Sequence, residues 1–311
     1  MLTISHVFFS YSEKNQAVLK NISFKIELGK NLAIIGESGC GKSTLLKLIY
    51  GLHDVKAGTI HWKDELVTGP KFNLVPGMSQ MKYLAQDFDL MPYISVAENV
   101  GKYLSNFFPV EKQKRVEELL KVVEMSEFAN VKAKFLSGGQ MQRVALAKVL
   151  AKEPELLLLD EPFSHIDNFR KNSLRRNIFS YLKKRNITCV VATHDVNDSL
   201  SFADEIMVMK EGELIVKGKT LTVYEEKSSK YVASLFDDVS EIESNGEKKL
   251  FYPHEFEIVE NSEIKVEVNQ SFFKGSYFLI EGNFNENLIY FRSKNEFKKG
   301  KILYLKEKSR D

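Results

Sequence analysis

Gly36-Glu37-Ser38-Gly39-Cys40-Gly41-Lys42-Ser43-Thr44 is the stretch from which the rest of the chain is read. It fits the phosphate-loop pattern G-x-x-x-x-G-K-[ST] at every defined position. An apolar run, Leu32-Ala33-Ile34-Ile35, precedes it and a helical pattern, Leu45-Leu46-Lys47-Leu48-Ile49, follows. That strand–loop–helix setting is what the motif requires. The glycines let backbone N–H groups converge on phosphate oxygens at a helix N-terminus, where the dipole favours negative charge. Lys42 is expected to reach the terminal phosphates and the Ser43 hydroxyl to hold Mg²⁺. Alone, the loop specifies a nucleoside triphosphate and nothing more.

The second nucleotide feature is Leu156-Leu157-Leu158-Leu159-Asp160-Glu161-Pro162, an apolar strand that ends in two carboxylates. An acidic residue at the end of a buried strand can reach a metal ion beside the phosphate loop, which suits Asp160. Glu161 is then placed to polarise an attacking water. Between the two features lies Leu136-Ser137-Gly138-Gly139-Gln140-Met141-Gln142-Arg143, where Ser137 caps a helix whose glycine-rich start exposes backbone donors.

With these residues the chain resembles the ATP-binding subunit of an ABC transporter, in which L-S-G-G-Q is the signature motif. The resemblance implies that ATP and Mg²⁺ are the cofactors, and that Ser137, Gly138, Gly139 and Gln140 grip the γ-phosphate held by a second copy in a head-to-tail dimer. It implies further roles by position: Tyr11 stacks on adenine, Gln86 in Leu84-Ala85-Gln86-Asp87 touches Mg²⁺ and the attacking water, Asp167 reports across the dimer, and His194 senses the γ-phosphate. His165 and Ile166 stand where relatives carry alanine and leucine, and Lys148 replaces an arginine, keeping the charge but losing a bidentate fork. Cys40 is read as a small structural filler, with redox sensitivity as the alternative.

The implied fold is α/β: a P-loop ATPase domain over residues 1–237, with a parallel core sheet, an antiparallel N-terminal β-subdomain and a helical subdomain at about 87–150. A small all-β, barrel-like domain is expected over 238–311. Residues 2–9 and 18–28 read as antiparallel strands with a turn around Ser12–Asn15, and 188–192 as a buried parallel strand. Asp237-Asp238 and 241–247 read as a polar connection placing the boundary near Asp238. Short strands follow at 249–259, 263–272, 275–282, 286–292 and 301–305, with turns at Gly275, Gly282 and Asn283–Asn285. Phe251-Tyr252-Pro253-His254-Glu255-Phe256 is similar to the segment that opens the oligomer-binding-like tail of sulfate, ferric-ion, polyamine and sugar importer ATPases, with Tyr252 in place of an arginine.

With 44 basic and 42 acidic side chains the net charge is +2, which gives no electrostatic case for nucleic acid. The seven cations of the helix at 169–185 are read as a solvated face. No signal peptide or 20-residue apolar span is visible, and two cysteines suggest a cytosolic, disulfide-free chain. The resemblance therefore implies a peripheral protein on the cytoplasmic face of the membrane, with integral-membrane permease subunits and a substrate-binding protein as partners. An importer of a small solute or ion is the leading reading. An export or lipid-extraction cassette and a soluble non-transport ATPase are the alternatives, the latter weakened by a single phosphate loop and no sustained heptads.

Overall fold

The computed structural model describes residues 1–12, 16–244, 247–285 and 287–308. The chain divides into two compact units, Met1–Leu221 and Thr222–Asp311.

The first unit is built on two sheets. The smaller is antiparallel, in the order β2-β1-β4-β5, from β1 (Leu2–Phe9), β2 (Leu19–Ile26), β4 (Ala57–Trp62) and β5 (Glu65–Leu66). In β1 the inward residues switch from Leu2 and Ile4 to Val7 and Phe9. A bulge after Ile4, with His6 at φ 49°, inserts the residue that the switch needs. The expected turn at Ser12–Asn15 falls partly outside the described residues.

The larger sheet has the order β10-β9-β3-β8-β7-β6. Its strands are β3 (Asn31–Ile35), β6 (Met81–Leu84), β7 (Leu156–Asp160), β8 (Thr188–Ala192), β9 (Glu205–Lys210) and β10 (Glu213–Lys219). All neighbours are parallel except β9 and β10. β7 is buried at every residue because both of its faces are covered. Leu156 and Leu158 join Leu45, Leu46 and the smaller sheet in one core. Leu157 and Leu159 join Val144, Leu146, Leu174 and Ile178 in another. A continuous apolar run, not an alternating one, is the consequence.

Helices α1 (Lys42–Ile49), α5 (Asn168–Lys184) and α6 (Val196–Leu200) accompany this sheet, and α2 (Val96–Gly101), α3 (Pro109–Val122) and α4 (Gly138–Leu150) fall within residues 87–150. α2 and α4 open with full capping boxes, Ser95 with Glu98 and Ser137 with Gln140. α1 has no side-chain cap; it follows Gly41 in a left-handed conformation at φ 107°. Its first N–H groups therefore have no side-chain acceptor of the kind that closes the other two helices. Among the described residues no helix is long and apolar enough to cross a membrane.

The second unit carries an antiparallel hairpin of β11 (Ser240–Ser244) and β12 (Glu247–Phe251), and a five-stranded antiparallel sheet ordered β13-β17-β14-β15-β16. Its strands are β13 (Phe256–Val259), β14 (Ile264–Phe273), β15 (Phe278–Phe284), β16 (Asn287–Ser293) and β17 (Ile302–Glu307), around a core of Ile242, Phe251, Phe256, Val266, Ile280, Phe291 and Leu305. Three local expectations change. The polar connection at 241–247 is largely strand, because Ile242 alone among its acidic neighbours turns into the core. The strand expected at 249–259 is broken by a 3-10 turn at Pro253–Glu255. Gly282 lies inside β15 rather than in a turn; a Cβ there would meet Glu267 O at 2.7 Å, so the glycine serves a close strand approach.

The division also falls earlier than Asp238. Tyr224 stacks on Tyr252 with ring centroids 4.7 Å apart, Phe236 meets Tyr224 edge-on at 5.7 Å, and Asp237 pairs with Arg292 at 2.9 Å. Residues 222–237 thus pack as part of the β-rich unit, although their sequence reads as a continuation of the first.

Candidate functional site

The carboxyl ends of the parallel strands converge on the phosphate loop, the place where open α/β sheets bind ligands. β3 runs into Gly36, which has φ 151° and leaves no room for a side chain: a Cβ would sit 2.2 Å from Met209 O. Lys42 is buried, and its ammonium donates to Gly36 O at 2.7 Å and Glu37 O at 3.0 Å. The lysine thus folds back over the loop from which it springs. Cys40 is buried beside it and burial raises its thiol pKa, so the structural-filler reading fits and the reactive one does not. Tyr11 extends from the end of β1, half exposed, with its hydroxyl 2.9 Å from Thr44 Oγ1 and its ring edge-on to Phe9 and His53.

At the end of β7, Ser43 Oγ donates to Asp160 Oδ1 at 2.9 Å and Tyr83 OH donates to Asp160 Oδ2 at 3.2 Å. Burial lifts the Asp160 carboxyl above its ordinary range, against the pull of these two donors and of Lys47 and Lys42. Tyr83, on β6, was not anticipated from sequence; burial and then Asp160 raise its own pKa. The next residue, Glu161, has φ 50°, an uncommon conformation for a non-glycine residue. Its N–H donates to Ala192 O at 2.9 Å, and its carboxylate Oε1 lies 2.9 Å from His194 Nδ1. β6 and β7 pair Leu84 with Leu159, so Gln86 and Glu161 each follow two residues beyond the same rung. Gln86 is exposed at that edge.

Two supports of this edge have partners that the sequence does not announce. Arg175, on α5, is buried; its Nε donates to Asp198 Oδ1 at 2.5 Å and its other end pairs with Asp195. Thr193 Oγ1 donates to Asp198 Oδ2 at 2.6 Å, so the residues on both sides of His194 are tied to one guanidinium. This corrects the reading of α5 as a wholly solvated basic face. Lys148, buried in α4, donates to the carboxylate of Asp89 at 2.8 Å and to the Asp89 carbonyl, reaching the segment that follows Gln86.

Ser137, Gly138, Gly139, Gln140 and Asp167 lie elsewhere. They line a cavity of about 440 Å³ together with Arg143, His165 and Arg170, and none of the phosphate-loop residues borders it. The candidate residues therefore form two groups, one around the loop and one around the start of α4.

Among known proteins, a model described as ABC transporter matches residues 19–164. An Fe(3+) ions import ATP-binding protein of Haemophilus influenzae is 35% identical over 226 residues, which is 72% of this chain and 64% of that protein. A maltose/maltodextrin import ATP-binding protein of Mannheimia succiniciproducens is 30% identical over 92% of this chain and 75% of its own length. The chain belongs to the ABC transporter family. Its fold is that of an ABC cassette: the dimeric post-hydrolysis structure of the ATP-binding cassette MJ0796 bound to ADP and Pi superposes with a TM-score of 0.62 at 30% identity, covering 71% of this chain and 99% of that one. The match spans slightly less than two thirds of the iron-importer protein's length. Within the ABC family, an antiparallel β-subdomain, a parallel core and a helical region in one unit, followed by a β-rich unit, is the architecture this chain adopts.

Proposed function

We propose that this chain binds and hydrolyses ATP as the motor subunit of a membrane importer for a small solute or ion. The observation that carries the proposal is the clustering, at one sheet edge, of a phosphate loop, the Ser43–Asp160 pair and the Glu161–His194 pair. The relatives named as import ATP-binding proteins support the direction of transport.

In this reading residues 36–44 hold the triphosphate and Tyr11 stacks on the base. Lys42 exchanges its two carbonyl acceptors for phosphate oxygens. Glu161 takes the proton of the attacking water, and His194 holds the Glu161 carboxylate in place. Gln86 completes the polar wall from β6. Ser43 and Asp160 suit Mg²⁺: both present hard oxygen ligands, and a cation would favour the ionised form of a carboxyl that burial now disfavours. No group of three or more His, Cys, Asp or Glu that could by itself hold a metal ion occurs among the described residues. This suits an ion held largely by phosphate and water, and when bound it supplies charge neutralisation at the phosphates.

The signature group, Ser137–Gln140 with Asp167, would complete the site of a second copy. An ATP-glued head-to-tail dimer on the cytoplasmic face of the membrane follows from this. The exposed rings of Tyr93 and Phe135, with Lys134 over both, offer an amphipathic surface for permease subunits. A substrate-binding protein would deliver the cargo on the other side. Nucleic acid has no place in this reading.

Glu161→Gln tests it. The variant is expected to retain ATP, lose turnover and elute as a dimer on size-exclusion chromatography only when ATP is present. Normal turnover in that variant would sink the general-base role.

A further inference from the structure

Gln142 lies two residues beyond the signature group on α4 and is buried. Both ends of its side-chain amide are engaged with one short turn of the neighbouring loop. Nε2 donates to Glu161 O at 2.9 Å, and Oε1 accepts from the His165 N–H at 3.0 Å. One turn of helix earlier, Gly139 touches the same loop so closely that a Cβ would lie 2.7 Å from His165 O. The start of α4 is therefore fastened to the turn 161–165 at two points on one face, three residues apart.

That turn contains a strained residue. Glu161 holds φ 50° immediately before Pro162, a conformation that persists only where the surroundings impose it. The restraints are identifiable: Ala192 O takes the Glu161 N–H, while Gln142 Nε2 and Ser164 Oγ both donate to the Glu161 carbonyl. Ser164 belongs to the turn itself, so Gln142 is the restraint that reaches Glu161 from α4.

We propose that Gln142 is a positioning residue for Glu161, coupling the pose of the general base to the seat of its own chain's signature helix. The inference rests on the ATPase reading above. Because α4 begins with the residues that would grip a partner's nucleotide, a shift of that helix on engagement reaches Glu161 through one amide group. The carboxylate that activates water in one half-site is thereby set by occupancy of the other.

The test compares full-length Gln142→Leu and Gln142→Glu with wild type, using ATP. Ser164 still satisfies the Glu161 carbonyl in the Leu variant, so its fold is expected to survive with a melting temperature within a few degrees of wild type. Its kcat is expected to fall about tenfold or more, with KM for ATP changed less than twofold. Unchanged kcat, or kcat, KM and melting temperature all worsening together, overturns the positioning role. The Glu variant keeps an acceptor for His165 but sets a carboxylate against the Glu161 carbonyl. Relative to wild type its deficit should shrink as pH is lowered toward about 5, where a protonated carboxyl can donate again. A deficit that does not vary with pH contradicts the proposal. Placing Gln142→Leu in the Glu161→Gln background separates the two readings. A dimer trapped by ATP in both the single and the double variant leaves signature grip intact and assigns the kcat loss to Glu161. Failure of Glu161→Gln alone to trap a dimer overturns the head-to-tail reading, and the helix coupling falls with it. A trapped dimer combined with normal Gln142→Leu turnover overturns the Gln142 role alone.

Discussion

His194 Nδ1 lies 2.9 Å from Oε1 of Glu161, so the only polar partner of that carboxylate among the hydrogen bonds and ion pairs described is an imidazole from the end of the adjacent strand. The imidazole is largely exposed and the carboxylate is not. His194→Ala is expected to cut turnover by about 100-fold or more while leaving ATP binding in place. Because the two side chains act as one unit, adding Glu161→Gln should cost little beyond the larger single effect. Single-turnover kinetics on the three variants checks this, and additive losses would show that the pair works as two independent groups.

Asp160 gives the free protein a definite pH response. Its folded carboxyl is raised by burial above the unfolded value, so the fold favours the protonated form. The linked stability is complete below the unfolded pKa and is lost as pH rises through the folded one. Asp160→Asn removes that loss and keeps an acceptor for one of the two hydroxyls, Ser43 or Tyr83, while its amide N–H can donate to the oxygen of the other. In the absence of nucleotide the variant should melt above wild type at pH 7, and the gap should close as pH falls through the folded pKa of Asp160. Thermal scans across pH read this directly.

Arg175 holds two carboxylates of opposite tendency. Burial alone would raise Asp195, but Arg175 and Asn197 more than offset it; Asp198 stays raised, by burial, despite Thr193 and Arg175. Arg175→Met strands both. Removing one member of a buried ion pair costs about 3–5 kcal/mol, and the deficit should ease in acid as the two carboxyls take up protons. Chemical denaturation at pH 7 and pH 5 measures both effects. A loss of under about 1 kcal/mol would place the network among surface pairs of little consequence.

Tyr252 fills the position where the similar tails carry arginine, and its fully buried ring is stacked on Tyr224 with the Lys227 ammonium 4.8 Å from its centroid. Tyr252→Ala should cost the second unit about 3–5 kcal/mol, the range for truncating a large buried aromatic. Calorimetry is expected to show a lowered transition for that unit, with ATP turnover preserved at temperatures where it remains folded.

Much of the loop-side group was legible in sequence because its chemistry is contiguous. Gly36–Thr44 and Leu156–Glu161 each carry their own pattern, and strand order then brings Asp160, Glu161 and His194 to one edge. Tyr83, Gln142 and Arg175 were not legible as parts of the site. Each acts through a partner 19 or more residues away, and nothing in a tyrosine, glutamine or arginine on an ordinary strand or helix announces that partner. Gln142 sat within the quoted signature stretch, yet its use depends on where the turn after β7 runs. The compact units divide at Leu221/Thr222, and not near Asp238, for a related reason. Acidic residues mark solvent exposure, whereas the second compact unit gathers the rings of Tyr224, Phe236 and Tyr252.

The ammonium of Lys42, resting on the carbonyls of Gly36 and Glu37, has one more consequence. The curve of the loop is closed by its own side chain, which sets one ammonium on two backbone carbonyls at its start. Phosphate oxygens must then compete with those two carbonyls for the same ammonium. A triphosphate brings more negative charge and more acceptor oxygens to that competition than a single phosphate ion does. The loop should therefore favour long polyphosphate chains over single phosphate ions before any contact with the base is made.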